Sequence, residues 1–519
     1  MIQNPILPGF NPDPSICRVA DDYCIATSTF EWFPGVQIHH SRDLQHCSVL
    51  THALHDQIDL RGVPSSGGIW APALSHHEGV FYHCYTVVHQ HQAATNDTLN
   101  FLTTVTSIEG PWTQPVFVNS SGFDPSLFHQ EKDDEEEHDD GQKYWLNMVW
   151  DHRPGHHPFD GIALQQYDAS EQRLAGHSKT IFKGSSIGLT EGPPLYQPNG
   201  WYDLLTAEGG TDYEHAVSLA RSGDLDGPYE VHLQNPILTS SGRPDLPLQK
   251  VGHASLAETQ AGEWYMPHLC GRPLLATLRC NLGRETAIQK AEWRDDDWFY
   301  LVGVGNHPKV QVESPQLPSQ PWGEVPARIP FDSVHYATRR LPLNRTDRQP
   351  DKFVLRGDES LESCFRQAML ARRLGFEPAT VTTRIRFQPD SFQQLAGLVA
   401  HYNTYLFHYL YISHDEQDGR CLQIHSCDDG VSSFPLGSDV IPVPARDLNL
   451  RLVFDDCRLR FSWSADNSRY HGVGSDLDAS ILSDDHGEHW RFTGTFVGLA
   501  WPDLTGQQLP AEFDYLEVR

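Results

Sequence analysis

The chain is short of positive charge. Against 68 aspartates and glutamates stand 38 lysines and arginines, a formal net charge of 38 − 68 = −30 over 519 residues. That field repels polyphosphate backbones and anionic lipid surfaces, so no nucleic acid and no membrane is expected as a partner. A neutral substrate suits it better than a phosphorylated one. Long hydrophobic runs are also missing: no apolar stretch approaches the ~18 residues a bilayer span needs. The opening MIQNPILPGF lacks the basic segment followed by an apolar one that marks an export signal. The ten cysteines form no CxxC pair and no regular framework. Several sit inside apolar runs such as YCIAT and YHCYTVV, the pattern of buried free thiols in a reducing compartment. A cytoplasmic protein is the expectation. P-loop, HExxH and EF-hand patterns are absent, as is a GxGxxG following a strand, which removes the usual signatures of several enzyme classes.

What is present is a folded chain, 39% hydrophobic and 11% aromatic, too long for one ordinary core. Five segments share a turn followed by an aromatic strand-like run: DDYCIATSTF, GVFYHCYTVV, GQKYWLNMVW, NGWYDLLTAE and GEWYMPHLCG. Their tyrosines, Tyr23, Tyr82, Tyr144, Tyr202 and Tyr265, are spaced by 59, 62, 58 and 63 residues. Five near-equal units of short strands predict a five-bladed β-propeller over residues 1–310.

The phase of the repeat singles out further residues. In a propeller the first strand of each blade lines the axis. Counting back from each tyrosine gives Asp13, Trp70, Asp124, Glu191 and His253, at offsets of 10, 12, 20, 11 and 12. The long offset coincides with the acidic run EKDDEEEHDD at 131–140, which reads as a solvated insertion. Two of the acids share one setting, Asp13 in GFNPDPSI and Asp124 in GFDPSLF. Asp-Pro alone is ordinary turn chemistry, but its recurrence in phase is not.

Three carboxyls, an indole and an imidazole facing one centre suit cleavage of a glycosidic bond. One carboxyl protonates the leaving oxygen while another activates water or attacks the anomeric carbon. A third raises its neighbour's proton affinity. Trp70 offers a flat face to a sugar ring. The competing reading is a hard cation held by the same acids and His253. A sugar-binding propeller without catalysis would need the aromatics but not all three acids.

The ordered set NPILPGFNPDPSI, GGIWAPALS, SGFDPSLF, NMVWDHRP, GLTEGPPLY, GHASL and LGRETAIQKAEW, with ESCFRQAMLARR and PAEFDYLEV later, resembles β-xylosidases of glycoside hydrolase family forty-three, of the two-domain type. The resemblance covers nearly the whole chain. It implies an exo-acting, inverting β-1,4-xylosidase that releases xylose from the non-reducing end of xylo-oligosaccharides. Arabinofuranosidase or dual activity is the alternative within the family. It implies Asp13 as general base, Glu191 as general acid and Asp124 as the acid that tunes and orients it. Arg284 would bind sugar hydroxyls, and Phe30 and Trp70 would wall the pocket. His253 would sit beneath the acids, where some relatives hold a divalent cation; no cofactor is required. After TEGP the chain reads Pro194-Leu195-Tyr196, where a larger polar or basic residue is expected. A homo-oligomer, dimer or tetramer, is a further implication. A five-bladed fructan or sucrose hydrolase, working with retention, is a more distant alternative.

Residues 311–330 are rich in proline and read as a linker. Beyond them, ATVTTRIRFQ, TYLFHYLYIS, LNLRLVFDD and CRLRFSWSA alternate like strands of a β-sandwich over 331–519. The fold class expected is thus all-β, a propeller followed by a sandwich; the sandwich alone could be an independent carbohydrate-binding module, and the resemblance implies instead that it packs on the propeller and lends an aromatic to the pocket. Phe496 in GTFVGLAW is the candidate aromatic lent by the sandwich to close the pocket.

Overall fold

Each of the five repeat tyrosines falls in the second strand of a sheet built on four consecutive antiparallel strands. A computed structural model describes residues 1–130, 141–323, 325–343, 348–349, 352–488 and 491–519; the acidic run 131–140 lies outside the described residues. The first sheet comprises Ser15–Val19, Asp22–Thr27, Gly35–Ser41 and Ser48–Leu54. The second is Gly68–His77, Val80–Gln90, Asp97–Val105 and Val116–Asn119, and the third Gly122–His129, Lys143–Trp150, Phe159–Asp168 and Arg173–Phe182. Leu195–Tyr196, Tyr202–Glu208, Ala216–Ser222 and Glu230–Val231 form the fourth. Gln249–Ala254, Trp264–Gly271, Glu285–Trp293 and Phe299–Leu301 form the fifth.

The first strands of sheets one to four touch in sequence, and the fifth sheet meets both the fourth and the first. The sheets therefore close a ring, a five-bladed propeller. The N-terminal residues lie against the last blade: Ile2–Gln3 pairs with Gln311–Val312, and Leu7 bridges Thr286. Asn4 bonds both backbone groups of Ile288, donating at 2.8 Å and accepting at 2.9 Å.

The rest of the chain forms two large antiparallel sheets. In one, Ala379–Arg386 alternates buried and exposed positions, as expected of a strand with one wet face. In the other, Ala396–Asn403 is buried at every position. The reason is that this sheet is covered on both sides. Leu398, Ala400 and Leu410 face the sandwich core with Leu450, Leu452 and Phe513. Val399, Phe407, Tyr409 and Phe496 pack instead on Phe10, Phe30 and Trp32 of the propeller.

Before entering the sandwich the chain touches the propeller again. Thr338–Arg339 pairs with Trp32–Phe33 beside the first blade. Arg339 donates to Glu31 at 2.8 Å, both side chains being fully buried, and its guanidinium lies 4.6 Å over the Trp32 ring. Burial pulls the Arg339 pKa down to about 10, with Glu31 opposing that shift. Removing one partner leaves the other charge buried and unpaired, which costs far more than removing both. Glu31→Gln should therefore destabilise the folded protein by about 3–5 kcal/mol in urea unfolding, and Glu31→Leu with Arg339→Met by much less. Equal losses would show that the pair is not what holds this junction.

Candidate active site

In a paired strand side chains alternate between the two sheet faces, so none points out of the end of the ring. The acids escape this rule by a local break in the ladder. Asp13 and Asp124 adopt left-handed backbone, with φ of 55° and 54°. Aspartate tolerates that region better than most residues, and the proline that follows has no N–H to leave unpaired. In the third blade the register skips between Phe123 and Ser126, releasing Asp124-Pro125 from pairing. The second blade skips between Trp70 and Ala73, and the fifth between Gly252 and Ala254, where His253 has φ 40°.

This register corrects the counting from sequence by one residue. Ala71 occupies the level of Asp124, while Trp70 matches Phe123. The two rings meet edge to face at 5.5 Å. Glu191 reaches the same ring from a two-way backbone bridge with Ala207, both bonds 2.9 Å.

Serines two residues past the break stitch the blades together. Ser15 Oγ accepts from the Leu74 amide at 2.9 Å, and Ser126 Oγ donates to the Pro193 carbonyl at 2.6 Å. Ser255 Oγ donates to Pro14 at 2.9 Å and accepts from the Ile16 amide at 3.1 Å. The links thus run from blade one to two, three to four and five to one.

The acids open into a cavity of about 700 Å³, within the usual range for small-ligand sites. Asp13, Phe30, Trp70, Asp124, Glu191, His253 and Arg284 all line it. Phe496 does not. It is fully buried and stacks on Trp32 with centroids 3.5 Å apart, edge-on to Phe10 at 5.9 Å. The expectation for Phe496 is corrected: it is a core residue of the domain junction. The sandwich aromatic on the cavity wall is Phe492, 5.5 Å from Trp70 and 6.1 Å from Phe30. Ser66 fixes two of these rings at once, its carbonyl accepting the Trp70 indole N–H at 2.9 Å and its hydroxyl the Phe492 amide at 3.0 Å.

Phe492 also lies 4.6 Å under the Arg284 guanidinium. That approach depends on two glycines, because a Cβ on Gly283 would fall 2.5 Å from the Cα of Gly494. Sequence reading missed Phe492, Asp484, Lys250 and His215, which also line the cavity. For Phe492 the available signal was Gly494 two residues on, in a stretch without strand pattern, set against Gly283 of LGRET.

The electrostatics follow from burial. Asp124 is pushed well above the usual carboxylate range by loss of water, then by the charges of Glu191 and Asp13. The Gly192 amide donates to Asp124 and, with Arg284, works the other way. Burial, then Asp13, raises Glu191 to about 8, against Arg284. Asp124 and Glu191 therefore titrate as a coupled pair, and the Gly192 amide favours charge on Asp124. Asp13 Oδ2 accepts from the Ser28 hydroxyl at 2.6 Å, which fixes its orientation. Burial lowers His253, so its imidazole is uncharged at neutral pH. Its ring lies against Gly192, where a Cβ would fall 2.9 Å from Cε1.

Below His253 the axis holds a space of about 30 Å³, lined by prolines and by Ser15, Ser126 and Ser255. Those hydroxyls already serve the stitches between blades. Among the described residues no three His, Cys, Asp or Glu side chains converge as a metal-holding group. The donors present do not fit a directly ligated divalent cation at His253.

Residues 2–299 match the model of glycosyl hydrolases family 43, and residues 333–519 that of the β-xylosidase C-terminal concanavalin A-like domain. The chain is 44% identical to a β-xylosidase of Bacillus subtilis (strain 168), covering 100% of this chain and 99% of that one. Identity to xylosidase/arabinosidase 43B of Humicola insolens is 45%, over 100% and 97% of the two chains. The crystal structure of a xylan β-1,4-xylosidase from Bacillus halodurans C-125 superposes with a TM-score of 0.96 at 48% identity, covering 100% of both chains. Three acids on separate blades, an arginine beside them and a sandwich closing the wall thus have a family: the chain belongs to glycosyl hydrolase family 43 and is a glycoside hydrolase.

Proposed function

We propose that the enzyme is an exo-acting, inverting β-1,4-xylosidase that removes xylose from the non-reducing end of xylo-oligosaccharides. The observation that carries this is the meeting of Asp13, Asp124 and Glu191 with Arg284 in one cavity walled by aromatics from both domains. The names of the similar β-xylosidases support the sugar, and that of the solved xylan β-1,4-xylosidase the linkage. A cavity walled by Phe492 and its neighbours on the sandwich side admits a chain end rather than a passing chain.

The residues divide the reaction as follows. Phe30, Trp70 and Phe492 hold the apolar faces of the terminal xylose, and Arg284 donates to its hydroxyls through a fixed fork. Asp13, oriented by Ser28, takes a proton from a water molecule whose oxygen bonds to the anomeric carbon. The bond to the leaving oxygen breaks on the opposite face as Glu191 gives that oxygen its proton. Burial and the charge of Asp13 hold the proton on Glu191, and Asp124, its own charge favoured by the Gly192 amide, adds its like-charge repulsion. Neutral His253 supports Gly192 from below. The products are α-xylose and a shortened oligosaccharide, with Asp13 and Glu191 returned to their starting states by solvent. The Humicola relative's name favours a second, arabinofuranosidase activity of the same cavity.

A cytoplasmic location belongs to the same reading, supported by ten free cysteines, seven of them buried. Among the described residues no helix is long and apolar enough to cross a membrane. A homo-oligomer is also part of it, to be read by light scattering.

The assignment is tested by NMR of the first product from a β-xyloside, expected to be α-xylose; β-xylose would sink the inverting mechanism. Faster turnover of an aryl arabinofuranoside than of the aryl xyloside would reverse the substrate order.

Glu191→Ala should reduce xylobiose hydrolysis by about 10²–10⁴-fold, yet spare substrates whose leaving group needs no proton. Asp13→Ala should lose both classes. Comparing kcat on xylobiose and on an activated aryl xyloside separates the two roles, and equal losses in Glu191→Ala would contradict the acid assignment.

Because the acid must be protonated, kcat/KM should fall as pH rises through about 8, the value to which Glu191 is raised. Asp124→Asn removes a neighbouring negative charge and should move that alkaline limb to lower pH. An unmoved limb would mean that Asp124 does not tune Glu191.

A further inference from the structure

We propose that Asp484, carried by the sandwich, is a positioning residue for the sugar-binding Arg284 of the propeller. The proposal rests on the glycosidase reading of the cavity and adds to it a charge supplied by the second domain.

Arg284 is almost wholly buried, and a buried guanidinium stays where its neighbours hold it. Phe492 covers one face of its plane at 4.6 Å. A ring face limits tilt but leaves sliding within the plane free. Two carboxyls of the cavity attract it, since Arg284 acts on the titration of both Asp124 and Glu191. A further attraction comes from the sandwich: Asp484 Oδ2 lies 3.9 Å from Arg284 Nε. Among the described residues this is the one carboxylate within 4 Å of that guanidinium, and neither Arg284 Nε nor Asp484 Oδ1 makes a hydrogen bond.

The distance is longer than a closed ion pair, and Lys250 accounts for it. Its ammonium, 2% exposed, donates to Asp484 Oδ2 at 3.1 Å and to Asp485 Oδ1 at 2.5 Å. Asp485 is anchored in turn, its Oδ2 accepting the Cys280 amide at 2.9 Å. The row Lys250–Asp484–Arg284 therefore alternates in sign across the domain boundary. Asp484 is shared, so it steadies Arg284 without capturing its N–H groups, which stay available for hydroxyls. A full salt bridge would compete with the sugar; no carboxylate at all would let the arginine slide onto the catalytic acids.

The test is a double-mutant cycle of D484N with R284K. It is read on KM and kcat for an aryl xyloside and, independently of turnover, on the calorimetric Kd for xylose. D484N should raise KM and Kd about tenfold while kcat changes less than about threefold, and in the R284K background the same change should add less than about twofold. D485N weakens the other carboxylate contact of Lys250 and leaves the Asp484–Arg284 approach in place; it should raise KM by less than about twofold while lowering Tm as much as D484N. Additive effects in the cycle, or equal KM changes for D484N and D485N, overturn the proposal. If D484N does not fold, D484E takes its place, since it keeps the charge but displaces it by one methylene. Failure of the unsubstituted enzyme to cleave the aryl xyloside would instead count against the cleavage reading, which the Kd arm does not use.

Discussion

Much of the site hangs on a few residues that leave the ladder or stand just before it: Asp124-Pro125, Ala71-Pro72, His253 and Asp13. A propeller gathers its first strands around an axis, but ladder geometry sends their side chains sideways into the neighbouring blades. While Glu191 reaches the mouth from its bridge with Ala207, at Asp13, Asp124 and His253 the chain turns out of that geometry through left-handed backbone. Such a conformation costs of order 1–3 kcal/mol per residue and persists only where the surroundings hold it. Here the support is local. Proline removes the amide that would go unpaired, and a serine two residues on ties the kinked strand to the next blade. The same chemistry therefore supplies the aim of the acids and part of the closure of the ring.

The electrostatics repeat that economy. Three carboxyls and one arginine share one cavity, and two of the acids, Asp124 and Glu191, titrate as a coupled pair. Burial drives Asp124 and Glu191 upward together, and a backbone amide from Gly192 opposes that rise at Asp124. Gly192 is also the only residue type that fits, since a side chain would strike the His253 ring. His253 acts here as a floor rather than as a charge, which its low proton affinity permits.

Much of the fold could be read from the tyrosine spacing, because each tyrosine follows a hairpin turn and opens the second strand of a blade. The acids followed from the same period. Trp70 was placed one residue out of phase because a bulge adds a residue to one strand without leaving any mark in composition. Phe496 was misplaced for another reason. An aromatic in FVGLAW looks the same in sequence whether it faces a ligand or another domain, and the structure buries it on Trp32. Arg339 was equally hidden: two consecutive arginines give no sign that both are buried, one of them against Glu31.

The sheet buried on both faces has a consequence for how the protein is made. Phe10, Phe30 and Trp32 leave the ribosome hundreds of residues before Val399, Phe407 and Phe496, the groups that cover them. A nascent propeller must therefore carry an apolar patch beside its own unfinished pocket until nearly the whole chain has been synthesised. Chaperone demand and the risk of mispairing between neighbouring chains should be greatest in that interval. The catalytic cavity, whose wall includes Phe492, is one of the last features of the molecule to form.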